Sequence, residues 1–185
     1  MTKAIEKKSK NINKLDYTGT LNIKLMDDDR ILESRICHNA GCTKLFTFLA
    51  TCLAGDYNSV KSTRPCRVIL FREDPDHPTY IDNKFNLESL NENCRVSTKV
   101  FYDSTPEVYY PTAEGGASIT YHFRIPFLCL TGGEQAAKVA LYPNTISNPS
   151  VDVCAYYVLE TPISIPERGG NFTIIIDWTL AIANK

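Results

Sequence analysis

The sequence predicts a mainly β protein: an antiparallel β-sandwich or jelly-roll-like body in a single domain, with one principal α-helix at about residues 43–54. Three observations lead there. Apolar and polar residues alternate with period two in several stretches, as in YTGTLNIKLM (17–26), whereas convincing helical periodicity occurs in one place. Turn signals built on Gly, Pro, Asn and Asp separate the strands at intervals of about 8–15 residues, a spacing that suits sandwiches better than parallel α/β sheets. The chain has 185 residues, 43% hydrophobic and 22% charged, which is the length of one domain and an ordinary composition for a folded core.

The helix is read from Leu45, Phe46, Phe48, Leu49, Cys52 and Leu53, which recur at three- and four-residue steps and form an apolar stripe, with Lys44, Thr47 and Thr51 largely opposite. Thr43 can cap its start by accepting a first-turn N–H. Gly55 can end it, because glycine enters the left-handed conformation without a Cβ penalty. The stripe should pack on the sheet that contains Val68 and Leu70.

In chain order, residues 1–14 form a basic, flexible arm and 15–185 the sandwich domain. Residues 17–26 are the first strand, with Leu21, Ile23 and Leu25 on its buried side. Asp27, Asp28 and Asp29 make a turn; the glycine and distal glutamate of a calcium loop do not follow at the required spacing. Ile31 to Ile36 return as a second strand, and Asn39, Ala40 and Gly41 turn the chain toward the helix. CRVILF (66–71) is a continuous apolar run suited to a buried central strand. Residues 72–93, with Pro75, Pro78 and several acidic side chains, read as a long exposed connection with a helical turn near Leu87. RVSTKVFY (95–102) alternates again.

Residues 118–130 place Ile119, Tyr121, Phe123 and Ile125 on one side, and Pro126 belongs at an edge, a bulge or a strand end because it cannot donate to a ladder. Thr131, Gly132 and Gly133 turn into AKVALYP (137–143). Strands follow at 151–160 and, after Gly169 and Gly170, at 171–184, which carries the single Trp178.

Charge and cysteine usage narrow the class. The formal net charge is −1, but residues 1–14 carry five lysines against Glu6, +4 by side chains, leaving −5 on the body. A neutral whole argues against a nucleic-acid binder acting through its entire surface. No apolar run approaches the length of a membrane-spanning helix, and the N-terminus lacks the apolar segment of a secretory signal, so cytoplasmic synthesis is expected. The seven cysteines sit mostly in apolar runs, the pattern of free thiols used as small buried hydrophobes.

Catalytic chemistry finds little support. His38, His77 and His122 are isolated from one another, and neither a Gly-x-Ser-x-Gly elbow nor a phosphate-binding glycine loop occurs. Cys37, His38 and Cys42 are the best zinc candidates, yet a closed site needs four ligands at short paired spacings, so packed or surface roles are expected. A nucleophilic Cys37 or Cys42 would need a positioned base that no nearby pattern supplies. Glu73 and Asp74 read as solvated loop acids, and His122 as an outward-facing strand residue. Tyr102, Tyr109, Tyr110, Tyr121, Tyr142, Tyr156 and Tyr157 could line a glycan- or protein-binding face, although most should rim the core.

The runs HNAGCTKLFTFLATCLAGDY, RPCRVILF, HFRIPFLCL with KVALYP, and IIIDWTLAIANK resemble small virion structural proteins of tailed bacteriophages, particularly crAss-like phages and related prophages of gut bacteria. The resemblance implies a non-enzymatic protein without catalytic, cofactor-binding or metal-binding residues, multimeric in the virion after synthesis in the host cytoplasm. It implies an auxiliary protein of the head, with a tail, collar or head-fibre component as the alternative within the resemblance; a glycan-binding attachment module is an alternative from another class. Its partners would be the major capsid protein or a neighbouring structural protein, with no membrane and no nucleic acid expected. Lys3, Lys7, Lys8, Lys10 and Lys14 of the arm are the expected partner-binding residues, through an acidic neighbour. A small enzyme with an unrecognised site is the third alternative.

Overall fold

The first strand follows from alternation, and the second returns from it through the aspartate turn. A computed structural model describes residues 15–41, 45, 48, 55, 63–103, 105–109 and 116–184. In it β1 (Leu15–Asp27) and β2 (Arg30–Gly41) form an antiparallel hairpin. Its turn is held at Asp28, whose φ of 50° suits the left-handed tolerance of aspartate. The Asp28 carboxylate also accepts a 3.1 Å hydrogen bond from Asn171 Nδ2. The aspartate cluster is thus a fastening of the turn to the last strand.

The remaining strands are β3 (Pro65–Phe71), β4 (Tyr80–Ile81), β5 (Lys84–Phe85), β6 (Val100–Phe101), β7 (Glu107–Tyr109), β8 (Gly116–Pro126), β9 (Gln135–Pro143), β10 (Ala155–Ser164) and β11 (Phe172–Asn184). β4 and β5 pair as a small hairpin, and the other nine run in the order β6-β3-β9-β10-β2-β1-β11-β8-β7. Every pairing is antiparallel. This ribbon folds over at the β10–β2 junction, where only Ala155 with Gly41 and Tyr156 with Ala40 are paired. At the opposite side Tyr102 bridges Phe123, and Asp103 N–H donates to the His122 carbonyl at 2.7 Å. The result is a sandwich, β2-β1-β11-β8-β7 facing β10-β9-β3-β6, linked along both flanks.

Between the sheets lies one core. Leu21, Ile23, Tyr121, Phe123, Ile174, Ile176 and Trp178 come from the first sheet, and Val68, Leu70, Val139, Leu141 and Ala155 from the second. Leu45 is helical and buried in this core, and Phe48, also helical, packs against it. Gly55 has φ of +70°, the conformation expected of a helix-ending glycine. Thr43, Phe46, Leu49, Cys52 and Leu53 lie outside the described residues, as do residues 1–14.

The second sheet is covered on its other face as well. Ile69, Phe71, Ala140 and Tyr142 form a separate apolar cluster there with Leu90, Cys94 and Val153. Burial on both faces is the physical reason that CRVILF reads as a continuous apolar run rather than an alternating one. The cover is the 72–94 segment: most of its residues are exposed, as expected of a connection over 72–93, but the expectation is corrected at Asp74, Thr79, Ser89 and Leu90, which are buried along with the following Cys94. The turn expected near Leu87 is present as a 3-10 helix, Leu87–Ser89, capped by the Asn86 side chain.

Three other expectations change. Residues 95–102 form only the two-residue β6 plus single bridges from Arg95, Ser97 and Tyr102, because the segment passes from one sheet to the other. Val151 and Asp152, expected as the start of a strand, belong instead to a short helix, Pro149–Asp152, with Pro149 in its first turn and Asn148 as cap. Asn39 to Gly41, expected as a turn, continue β2, with Ala40 and Gly41 paired to β10. Pro126 does end its strand, passing directly into the 3-10 helix Phe127–Cys129.

Candidate interaction surfaces

An edge strand shows a row of unpaired backbone groups and is a template for another chain unless it is blunted. β2 pairs with β1 along its length but with β10 only at Ala40 and Gly41, so its outer edge from Arg30 to Asn39 is open. Along that edge Ile31, Leu32 and Ile36 are 54%, 51% and 72% exposed, well above the usual level for such side chains. A register shift opposite Leu25 and Met26 inserts an extra residue into β2 at Ile31–Glu33, a bulge that turns both Ile31 and Leu32 to solvent.

Where β2 and β10 diverge, a cleft of about 310 Å³ opens, lined among others by Arg35, Cys37, Tyr157, Leu159 and Glu160. The Arg35 guanidinium spans it, donating to the Thr161 carbonyl and, through Nη2, to Glu33 Oε2 at 2.9 Å. That hydrogen bond holds the Glu33 carboxyl below the usual range and raises Arg35. Burial, followed by the neighbouring Cys37 side chain, pushes the Tyr157 hydroxyl up to about 12.

Other exposed apolar side chains lie elsewhere on the body. Val108 and Tyr109 stand on β7 at the far edge of the first sheet, Leu128 is 84% exposed on the 3-10 helix after β8, and Tyr80 and Ile81 project from the β4–β5 hairpin. The outward face of β1, β11, β8 and β7 carries a row of charged side chains. Across it His122 Nδ1 lies 2.8 Å from Asp177 Oδ1, Lys24 Nζ 3.7 Å from Asp177 Oδ2, and His122 Nε2 3.8 Å from Glu107 Oε1. The row crosses four adjacent strands.

The covering segment contains a second polar cluster beside a cavity of about 270 Å³. Asp74 accepts from Asp76 N–H at 2.9 Å, from Asn91 Nδ2, and pairs with His77 Nδ1 at 2.8 Å. Burial alone would raise this carboxyl, but the donors from Asp76 and His77 outweigh it and bring it down to about 2. These contacts tie residues 74–77 to Asn91.

The candidates read from the sequence are thereby placed. Cys37 is buried toward the core and His38 is exposed on the other side of β2, since neighbouring strand residues point to opposite faces; they do not converge, and Cys42 lies outside the described residues. Among the described residues, no three His, Cys, Asp or Glu side chains gather as a metal site. His122 is outward-facing as expected but fixed in the row with Asp177. Glu73 and Asp74 are not simply solvated: Asp74 is buried, and Glu73 holds Lys138.

The five described cysteines are free, and burial raises the thiols of Cys66 and Cys94, opposite to what a nucleophile requires. The tyrosines do not share a face. Tyr121 and Tyr142 are buried, Tyr102 sits under the Arg64 guanidinium, Tyr156 stacks on Phe85, and Tyr109 is exposed on β7, with Tyr110 outside the described residues. Lys3, Lys7, Lys8, Lys10 and Lys14 lie outside them too.

The β2 edge and its cleft were missed by the sequence reading, although Ile31, Leu32 and Ile36 are apolar in a strand that needs only one buried side. Among the described residues no helix is long and apolar enough to cross a membrane. Fold and surfaces together define a mainly β protein that presents several apolar contact points. Comparison of the chain with family models, curated proteins and solved structures found no match.

Proposed function

We propose that this is a non-enzymatic structural protein of a tailed-phage virion, an auxiliary protein of the head that contributes to capsid assembly or stability. The observation that supports it is the grouping of Ile31, Leu32 and Ile36, each more than half exposed, along one open edge of the sandwich. Single exposed side chains such as Tyr109 and Leu128 are ordinary on a protein surface, whereas grouped apolar surface marks an interaction site and suits a subunit with neighbours. In a repeating shell, individually weak contacts become durable because the second attachment is intramolecular. The resemblance of HNAGCTKLFTFLATCLAGDY and the closing IIIDWTLAIANK to phage virion proteins supports the same reading.

Electron microscopy of particles carrying a labelled copy tests it directly. Label distributed over the head supports the auxiliary head role, label at one vertex or on the tail makes the protein a collar or tail component, and particles without label reject a virion role. The arm is tested in the same system. Removing residues 1–14 is expected to weaken incorporation, increasingly so with added salt, while the melting temperature stays unchanged. Undiminished, salt-insensitive incorporation rejects Lys3, Lys7, Lys8, Lys10 and Lys14 as the anchor.

A further inference from the structure

The open edge of β2 is complementary to its own reverse. Around Ser34 the strand runs Arg30-Ile31-Leu32-Glu33-Ser34-Arg35-Ile36-Cys37-His38, with an acid and a base on either side of the serine and apolar residues beyond them. In an antiparallel pair of identical strands centred on Ser34, residue i of one copy stands opposite residue 68 − i of the other. Glu33 then meets Arg35 of the second copy, and Arg35 meets its Glu33. Leu32 meets Ile36, and Ile36 meets Leu32, with Ile31 beside the contact. Opposite charges and apolar pairs facing across strands are the favourable cross-strand combinations, and each is made twice because a two-fold interface uses the same patch on both subunits.

We propose that the protein forms a two-fold dimer through β2, with the axis at Ser34. The partner is a second copy because the edge is complementary to itself in both charge and apolarity, whereas an edge serving an unrelated strand has no need of that symmetry. Leu32 and Ile36 are 51% and 72% exposed and the Glu33 side chain 44%, and β10, the strand that could have covered the edge, pairs only at its far end; Arg35, whose side chain is 19% exposed, would share its guanidinium between the Thr161 carbonyl and the second copy. A bulge ordinarily blunts an edge against such pairing. Here it confines the ladder to a few residues around Ser34 while turning Ile31 and Leu32 outward, where Ile36 of the second copy can cover them. Glu33 and Arg35, already paired within one strand at 2.9 Å, become an alternating group of four charges across the axis. The inference goes beyond the virion reading, since such a dimer would form whether or not the protein enters a particle.

The test is sedimentation equilibrium over a wide concentration range, with thermal melts of each variant to show that it is folded. The wild type is expected to show a monomer–dimer equilibrium, and Ile36→Lys to weaken it by at least about tenfold. Glu33→Arg alone places arginine against Arg35, and Arg35→Glu alone places glutamate against Glu33, so each variant by itself is expected to be monomeric. The two single variants mixed together have complementary edges and are expected to form a heterodimer, and the double variant, carrying both changes, to dimerise again. Wild-type protein that is monomeric at every concentration overturns the proposal. So does a dimer insensitive to Ile36→Lys, or folded single variants that fail to associate when mixed. A strictly monomeric protein that still decorates phage heads would sink the dimer and leave the virion reading standing.

Discussion

Lys138 sits in β9 without solvent access, the last place where a charged side chain is expected. Its ammonium lies 3.3 Å from Glu73 Oε2 and donates to Thr79 Oγ1 at 3.2 Å, and Thr79 in turn donates to Glu73 at 2.5 Å. Here only the lysine is buried and the Glu73 side chain is 58% exposed; such a pair is weakly stabilising compared with apolar packing, but removing the carboxylate leaves the buried ammonium without its charged partner. Lys138→Met is therefore expected to be nearly neutral in urea melts, whereas Glu73→Ala, which strands the ammonium, should cost about 1–3 kcal/mol. The reverse order would show that the lysine stabilises the sheet by itself. Asp74 gives a pH-dependent counterpart. Its carboxyl is held at about 2, below the ordinary value, so its contribution is complete above about pH 4 and is lost as pH falls through about 2. The stability difference between wild type and Asp74→Asn should accordingly shrink between pH 5 and pH 2. A constant difference would mean that the donors around Asp74 do not favour its charged form. Neither residue's role was legible in the sequence, because the partner of Lys138 is 65 residues away and only the fold brings it near.

At the scale of elements, legibility followed the number of buried faces. β1 and β8 each bury one face and turn the other to solvent, so Leu21 and Ile23, and Tyr121 and Phe123, announce themselves by alternation, whereas in β11 Ile174 and Ile176 flank a third isoleucine, Ile175, and do not. β3 buries both faces and is still recognisable as an apolar run. Residues 95–102 failed in the opposite way: Val96, Thr98 and Val100 alternate, yet Val96 and the intervening Ser97 are both buried, because Ser97 Oγ accepts from Leu70 N–H at 2.8 Å instead of facing water. The covering segment was misjudged because its polar side chains are satisfied by one another rather than by solvent. The helical signal is testable at Leu45, which is buried in the core with Val68 and Leu70. Leu45→Ala should cost about 2–5 kcal/mol by leaving a cavity. A loss under about 1 kcal/mol would show that the helix rests on the body without being packed into it.

For the whole molecule, composition and turn spacing were enough for a mainly β domain, whereas the fold-over of one nine-stranded ribbon was not readable. It depends on two small junctions, Ala40 and Gly41 with Tyr156 and Ala155, and Tyr102 with Phe123, neither marked by any local pattern. The pairing of β1 with β11, residue by residue from Leu15 with Asn184 to Asp27 with Phe172, has a consequence in time. The strand made among the first must wait for the one made among the last, and contacts so distant in sequence form slowly, on the order of milliseconds to seconds. Until β11 arrives, the β1–β2 hairpin is open along two edges rather than one, and its self-complementary sequence faces other unfinished copies as readily as finished ones. Emergence of Phe172 to Asn184 therefore divides the period in which association is a hazard from the period in which it can be useful.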